Sequence, residues 1–261
     1  MEMLAADDRG LLLGDGLFET ILAEHGRLAL FDAHVARLTA GCATIGLPAP
    51  APADLRAAAS AALTQAGLTD QRAAVRLSWT AGSGGRGLDR PQAMRPRLLA
   101  HAAPAPMQDQ PLVLATATIR RNETSPVSRL KSLAYLDNVL ARRAARALGA
   151  DEAVMLNTVG EVAGAAAANL FWISGGRLFT PSLDCGVLAG TMRAVVSATA
   201  AGLGVEVVEI RAAAQALAAA EAVFATSSLI GVREVSALDG ASFARHPMVA
   251  RLAEACAATL R

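Results

Sequence analysis

One lysine, Lys131, stands among 23 arginines in this 261-residue chain, and the one tyrosine, Tyr135, follows four residues later. Arginine stays protonated in proteins and is a poor nucleophile, whereas a lysine amine can shed its proton and condense with a carbonyl. A composition that has replaced nearly every lysine but kept this one therefore points to Schiff-base chemistry; a surviving surface lysine is the plainer alternative. On a helix, residues i and i+4 share a face, so Tyr135 is expected beside Lys131.

Other chemistries find little support. Cys42, Cys185 and Cys256 are far apart and odd in number, and His25, His34, His101 and His246 do not cluster, so no metal site is expected. The segment GSGGRG at 82–87 lacks the lysine and spacing of a Walker loop, which disfavours nucleotides. A formal net charge of +1 gives no electrostatic reason to expect a nucleic-acid or membrane partner. No apolar run reaches the ~18 residues of a membrane span. The N-terminal MEMLAADDRG is acidic and unlike a signal peptide, so a cytoplasmic location is expected.

The elements that must position these residues read as an α+β mixture in two lobes. Leu17 to Ala23 and Arg27 to Phe31 flank His25-Gly26 as a hairpin. Asp32 is placed to cap a helix running to about Gly46, a second helix starts near Pro52, and strands follow at Ala73 to Thr80 and Arg97 to Ala102. The Pro-rich APAPMQDQ reads as a linker, giving lobes at 1–103 and 112–261 joined by 104–111. In the second lobe a strand covers Leu112 to Thr118, and a helix runs from about Leu133 to Leu148, with Gly149 just past its end. Strands follow near Ala153 to Asn157, Asn169 to Ser174 and Arg177 to Phe179, the last two turning at Gly175-Gly176. Then come a helix from Gly190-Thr191, a strand at Val205 to Ile210, an Ala-rich helix, strands at Ala222 to Thr226 and Ile230 to Val235, and a C-terminal helix.

RNETSPVSRLKSLAYLDNVL, together with LGDGLFETI, FDAHVARL, AANLFWISGGRLFTP and GVLAGTMR in order along the chain, resembles the fold-type IV pyridoxal 5′-phosphate enzymes, similar to D-amino-acid aminotransferase in fold. These include branched-chain and D-amino-acid aminotransferases and 4-amino-4-deoxychorismate lyase. The resemblance implies that Lys131 forms the Schiff base with pyridoxal 5′-phosphate and later moves the substrate's α-proton, and that the Tyr135 phenol meets the cofactor's ring oxygen. It implies that Arg37 supplies charge to the phosphate, with the backbone N–H groups of Thr191 and Met192 after Gly190 and the hydroxyl of Ser228. A helix N-terminus suits that task physically. In the lyases a loop like GSGGRG brings an arginine to a substrate carboxylate, which assigns Arg86 to substrate.

The family's carboxylate partner of the pyridine nitrogen falls at Gly164 in this chain. That partner keeps the ring protonated as an electron sink, and Glu161, three positions earlier, is expected on the opposite face of a strand. Glu161 in a shifted register, another donor, or a weak or repurposed cofactor-binding relative are the three outcomes left open. Phe18 and Leu88 replace polar residues of relatives and imply an apolar substrate wall. The leading expectation is a lyase resembling 4-amino-4-deoxychorismate lyase, releasing pyruvate and 4-aminobenzoate from a small amino substrate. A D-amino-acid or branched-chain aminotransferase is the alternative. The resemblance also implies a homodimer.

Overall fold

The computed structural model describes residues 4–260, so Met1 to Met3 of the acidic N-terminal stretch lie outside the described residues. The chain divides into two compact units, one of residues 1–106 with 130–134 and one of residues 107–129 with 135–261. The short segment carrying Lys131, expected in the second lobe, thus packs with the first unit.

The first unit is built on a four-stranded antiparallel sheet. Its strands are β1 (Gly16–Glu24), β2 (Arg27–Leu28), β3 (Ala73–Thr80) and β4 (Arg97–Pro104), in the order β2-β1-β3-β4. The hairpin turns where expected: His25 and Gly26 have φ of 49° and 73°, the left-handed pair that a two-residue turn demands. A short helix, α1 (Arg9–Leu13), precedes the sheet, and α2 (Phe31–Ile45) and α3 (Pro52–Ala66) follow its first hairpin. The core comprises Leu17, Ile21, Leu38, Leu55, Leu63, Val75 and Leu77, drawn from sheet and helices alike. Asp32 does not cap α2: Leu30 holds the N-cap position at φ 52°, and Asp32 lies in the first turn. The tight turn after β2 sets that entry, so the helix begins one residue before the expected cap.

The second unit holds a mixed sheet. Its strands are β5 (Leu112–Arg121), β6 (Glu152–Asn157), β7 (Val162–Ala165), β8 (Asn169–Ser174), β9 (Arg177–Pro181), β10 (Val207–Ile210), β11 (Ala222–Ser227) and β12 (Gly231–Leu238). They follow the order β10-β9-β8-β11-β12-β5-β6-β7, and β13 (Ala241–Ser242) pairs with β12. Four helices complete the unit: α4 (Leu136–Ala147), α5 (Thr191–Gly202), α6 (Gln215–Ala218) and α7 (Pro247–Leu260). Ala141 and Ala145 of α4 pack with Ala153, Met155 and Ala166, where small side chains let helix and sheet approach closely. The Ala-rich stretch expected as a helix forms the four-residue α6, in which Leu217 is the one buried side chain. With so little apolar surface to dock, propensity alone does not sustain a longer helix. Among the described residues no helix is long and apolar enough to cross a membrane.

Candidate active site

Lys131 does not lie on a helix. Its segment is extended and runs along β1: Phe18 N–H donates to the Lys131 carbonyl at 2.8 Å, Leu133 N–H donates to the Gly16 carbonyl at 3.0 Å, and Ser132 bridges Leu17. Gly16 permits this approach, because a Cβ there would stand 2.8 Å from Leu133 Cδ1. The i, i+4 argument for Lys131 and Tyr135 therefore fails. Pairing to the sheet overrides the helical pattern, and α4 starts only at Leu136, with Tyr135 at its N-cap.

Around the amine, three residues of the sheet and α2 set the electrostatics. The Lys131 Nζ lies 4.3 Å from the Phe18 ring centroid, and the Arg76 guanidinium carbon lies 3.7 Å from the same ring. Phe18, expected as an apolar substrate wall, is thus a buried platform under two cations. Burial pushes the Lys131 amine down to about 8, and the charges of Arg37 and Arg76 add to the effect while Glu19 opposes it. An amine so placed is readily deprotonated near neutral pH, as an attacking nucleophile requires.

Arg37 is held in a fork-to-fork pair. Its Nε donates to Glu19 Oε1 at 2.8 Å and its Nη2 to Glu19 Oε2 at 2.6 Å. His34 Nδ1 stands 2.7 Å from Glu19 Oε2. Burial would raise the Glu19 carboxyl, but the hydrogen bonds from Arg37 and His34 outweigh it and hold the group at about 2. An ionised carboxylate only accepts, so the Nδ1 atom is the donor. Glu19 and His34 thereby fix the arginine that the resemblance assigns to phosphate.

The loop 82–90 exposes Arg86 and Leu88, the latter 84% exposed. It is anchored from beneath. Arg9, buried in α1, donates from Nη2 to the Leu88 carbonyl at 2.9 Å, from Nη1 to the Asp89 carbonyl at 3.0 Å, and from Nε to Asp15 Oδ2 at 2.9 Å. Arg90 grips the same Asp15 through Nε at 2.9 Å and Nη2 at 2.5 Å, and this bond chiefly holds the Asp15 carboxyl below its usual range. Gly85 has φ 84° and a Cβ there would collide with the Asp89 carbonyl, so this glycine is required by both conformation and space.

The remaining expected residues lie in the second unit. Gly190 is the N-cap of α5, and a Cβ on it would collide with the Asn169 side-chain amide. Asn169 is itself fixed by donation from Nδ2 to the Thr226 carbonyl at 2.9 Å. Thr191 and Met192 are buried in the first turn of α5, and Thr191 Oγ1 is 3.3 Å from Ser228 Oγ. Thr226 Oγ1 is buried without a hydrogen-bond partner among the described residues. Hydroxyls beside the N-terminus of a three-turn helix are a combination that could hold an anion.

Gly164 lies in β7 at φ 92°, buried, with open space beyond where a Cβ would stand: only the Ala168 carbonyl lies near, at 3.6 Å. Glu161 is committed elsewhere. Arg211 Nε donates to its Oε1 at 2.8 Å, Asn157 Nδ2 to its Oε2 at 2.8 Å, and Cys185 Sγ lies 3.6 Å from the latter oxygen. The structure therefore assembles Lys131, Phe18 and Arg37 within the first unit and Gly190, Thr191, Met192 and Ser228 within the second. Sequence reasoning missed Glu19, His34, Arg76 and Arg9. Of these Glu19 and His34 had a signal, as the acid of LGDGLFETI and the histidine of FDAHVARL.

A lysine amine of lowered basicity in the first unit could take an aldehyde, and the helix N-terminus with its hydroxyls in the second could take a phosphate. The family description Amino-transferase class IV matches residues 16–238, and the chain belongs to that family. It is 30% identical over 239 residues to the aminodeoxychorismate lyase of Bacillus subtilis, covering 88% of this chain and 80% of the relative. The crystal structure of 4-amino-4-deoxychorismate lyase from Pseudomonas aeruginosa matches with TM-score 0.86 and 32% identity, over 97% of this chain and 94% of that one. A hypothetical aminotransferase from Mycobacterium tuberculosis in its PLP-bound form matches with TM-score 0.87 and 25% identity, over 100% and 94%. The protein is accordingly a fold-type IV enzyme, and its cofactor is pyridoxal 5′-phosphate. In the first unit the lowered Lys131 amine fits the cofactor's aldehyde; in the second the α5 terminus and the Thr226 hydroxyl, which has no partner among the described residues, fit its phosphate, and position 164 carries no carboxylate.

Proposed function

We propose that this enzyme is a lyase acting on 4-amino-4-deoxychorismate, which it cleaves to pyruvate and 4-aminobenzoate. The observation that carries the reading is the anchored loop: Arg9 and Asp15 hold residues 87–90 from below, so that Arg86 is presented outward as a planar donor for a carboxylate. The substrate has carboxylates to meet it, and the aminodeoxychorismate lyases of Bacillus and Pseudomonas support the choice.

When bound, the cofactor withdraws electrons from the substrate carbon that bears the amine. In this reading the chain's own residues do the rest. Lys131 would hold the cofactor's aldehyde and, as a free amine, would take the proton from that carbon, a role its lowered basicity suits. Arg37, held by Glu19 and His34, and the N-terminus of α5 with Thr191, Met192 and Ser228 bind the phosphate. Tyr135 would offer its phenol to the cofactor ring. Loss of the enolpyruvyl group as pyruvate leaves an aromatic ring, so aromaticity drives the step forward. The enzyme works as a homodimer in the cytoplasm, and exposed Leu11, Leu12 and Leu13 on α1 support self-association.

The test is to incubate the reconstituted protein with 4-amino-4-deoxychorismate and measure pyruvate and 4-aminobenzoate together. Equal yields of both are expected. If neither forms, while a D- or L-amino acid converts the cofactor to its pyridoxamine form, the enzyme is an aminotransferase.

A further inference from the structure

Gly164 removes the acid that the family sets against the cofactor's pyridine nitrogen, and what borders that position in this chain is a cation. Arg121, the last residue of β5, donates from Nη1 to the Ala163 carbonyl at 2.9 Å and from Nη2 to the Ala165 carbonyl at 3.4 Å. These are the two residues flanking Gly164. The same guanidinium reaches Met155 Sδ at 3.2 Å and the Gly186 carbonyl at 3.5 Å, so it is fixed from several sides. No carboxylate contributes to those four contacts.

The polar side chains of the neighbouring segments are engaged elsewhere. Glu161 is bound to Arg211 and Asn157, and Glu123 is held by Thr158, whose Oγ1 lies 2.7 Å from Glu123 Oε1. The nearby Asn138 amide is turned to the Ala166 carbonyl at 2.6 Å. The backbone on either side of Gly164 is therefore held by a guanidinium of fixed orientation, and the acidic groups that the fold brings near that guanidinium are Tyr135 and Asp137.

We propose that Arg121, in place of the missing acid, sets the charge at the cofactor's pyridine nitrogen and keeps that nitrogen unprotonated. Its Nη hydrogens are taken by three carbonyls and the Met155 sulfur, so the guanidinium acts through its charge, which opposes a proton on a nitrogen near it. The ring becomes a weaker electron sink than in relatives with the acid. Such an enzyme suits substrates whose bond cleavage is driven by the product, as in formation of an aromatic ring, better than those that rely on the cofactor to hold a carbanion. The proposal rests on the placement of the cofactor ring at Gly164 and not on the lyase reaction.

The test uses holoenzyme reconstituted with cofactor labelled with nitrogen-15 in the ring, read by NMR. An unprotonated ring-nitrogen shift in the wild type at neutral pH is expected, and a protonated one overturns the proposal. In Arg121→Gln the ring nitrogen should become easier to protonate, its titration moving up by a unit or more. A folded, cofactor-loaded variant with an unmoved titration also overturns it. If Arg121→Gln does not fold or load, the wild-type spectrum decides alone. The aminobenzoate assay is independent: an unprotonated nitrogen without product sinks the lyase reading and leaves Arg121 in place.

Discussion

Replacing Lys131 by methionine should stabilise the cofactor-free protein even as it abolishes function. The amine titrates at about 8 in the folded chain against an ordinary 10.5, chiefly because burial penalises the ammonium. At ~1.4 kcal/mol per pH unit, folding around the charged form costs about 3 kcal/mol. The side chain keeps some solvent contact, which trims the figure to about 2 kcal/mol. The sign follows from proton counting. Between pH 8 and 10.5 the unfolded chain binds more protons at this site than the folded one, so wild-type stability climbs with pH across that window. The penalty is full below pH 8 and gone above 10.5. Methionine has similar length and no charge, so Lys131→Met should gain about 2 kcal/mol at pH 7, and the gain should shrink toward zero by pH 10.5. Urea unfolding of both apoproteins at several pH values measures this, since all other groups titrate alike in the two. Equal stability at pH 7, or a gain that does not shrink with pH, would refute the claim that burial sets the basicity of this amine.

The same lowered basicity governs capture of the cofactor. At pH 7 roughly one-tenth of the Lys131 amines are neutral, against fewer than one in a thousand for an ordinary lysine; the rate at which the visible band appears after mixing should rise tenfold per pH unit and level off above about 8. Glu19→Gln should cost about 3 kcal/mol at neutral pH, because Glu19 titrates at about 2 against an ordinary 4.5. That contribution is present above pH 4.5 and lost as pH falls through 2, so acid titration of both proteins should show their stabilities converging. Arg9→Gln frees the loop from beneath and should raise KM for substrate severalfold while cofactor affinity, followed by fluorescence, stays constant. Gly164→Glu would restore the family's acid at φ 92°, where a side chain is strained by about 1–2 kcal/mol; thermal unfolding should register the loss, and a variant as stable as wild type contradicts the strain.

Much of the fold could be read where local chemistry is decisive. His25-Gly26 and Gly175-Gly176 mark hairpins because the turn itself demands positive φ, at 49° and 73° in one and 57° and 74° in the other. The start of α5 after Gly190 is equally local. Two failures share one cause. β7, of Val162, Ala163, Gly164 and Ala165, carries little strand propensity and exists because β6 pairs with it. The Lys131 segment carries a helical pattern yet lies extended because β1 offers it hydrogen bonds. In both, the deciding partner is distant in sequence, where propensity has no voice.

At the site, the composition that exposed one residue concealed others. In a chain of 23 arginines a retained lysine must do something a guanidinium cannot, and Lys131 proves to be a partly buried amine of lowered basicity. By the same count no arginine stands out. Arg9, Arg76 and Arg121 differ from surface arginines only in what they touch: loop carbonyls, the Phe18 ring, and the carbonyls on either side of Gly164. Positions that need deprotonation are conspicuous in such a sequence. Those that need a permanent charge are camouflaged, which is why the absent acid at Gly164 could be seen from the sequence while the cation bordering it emerged only from the fold.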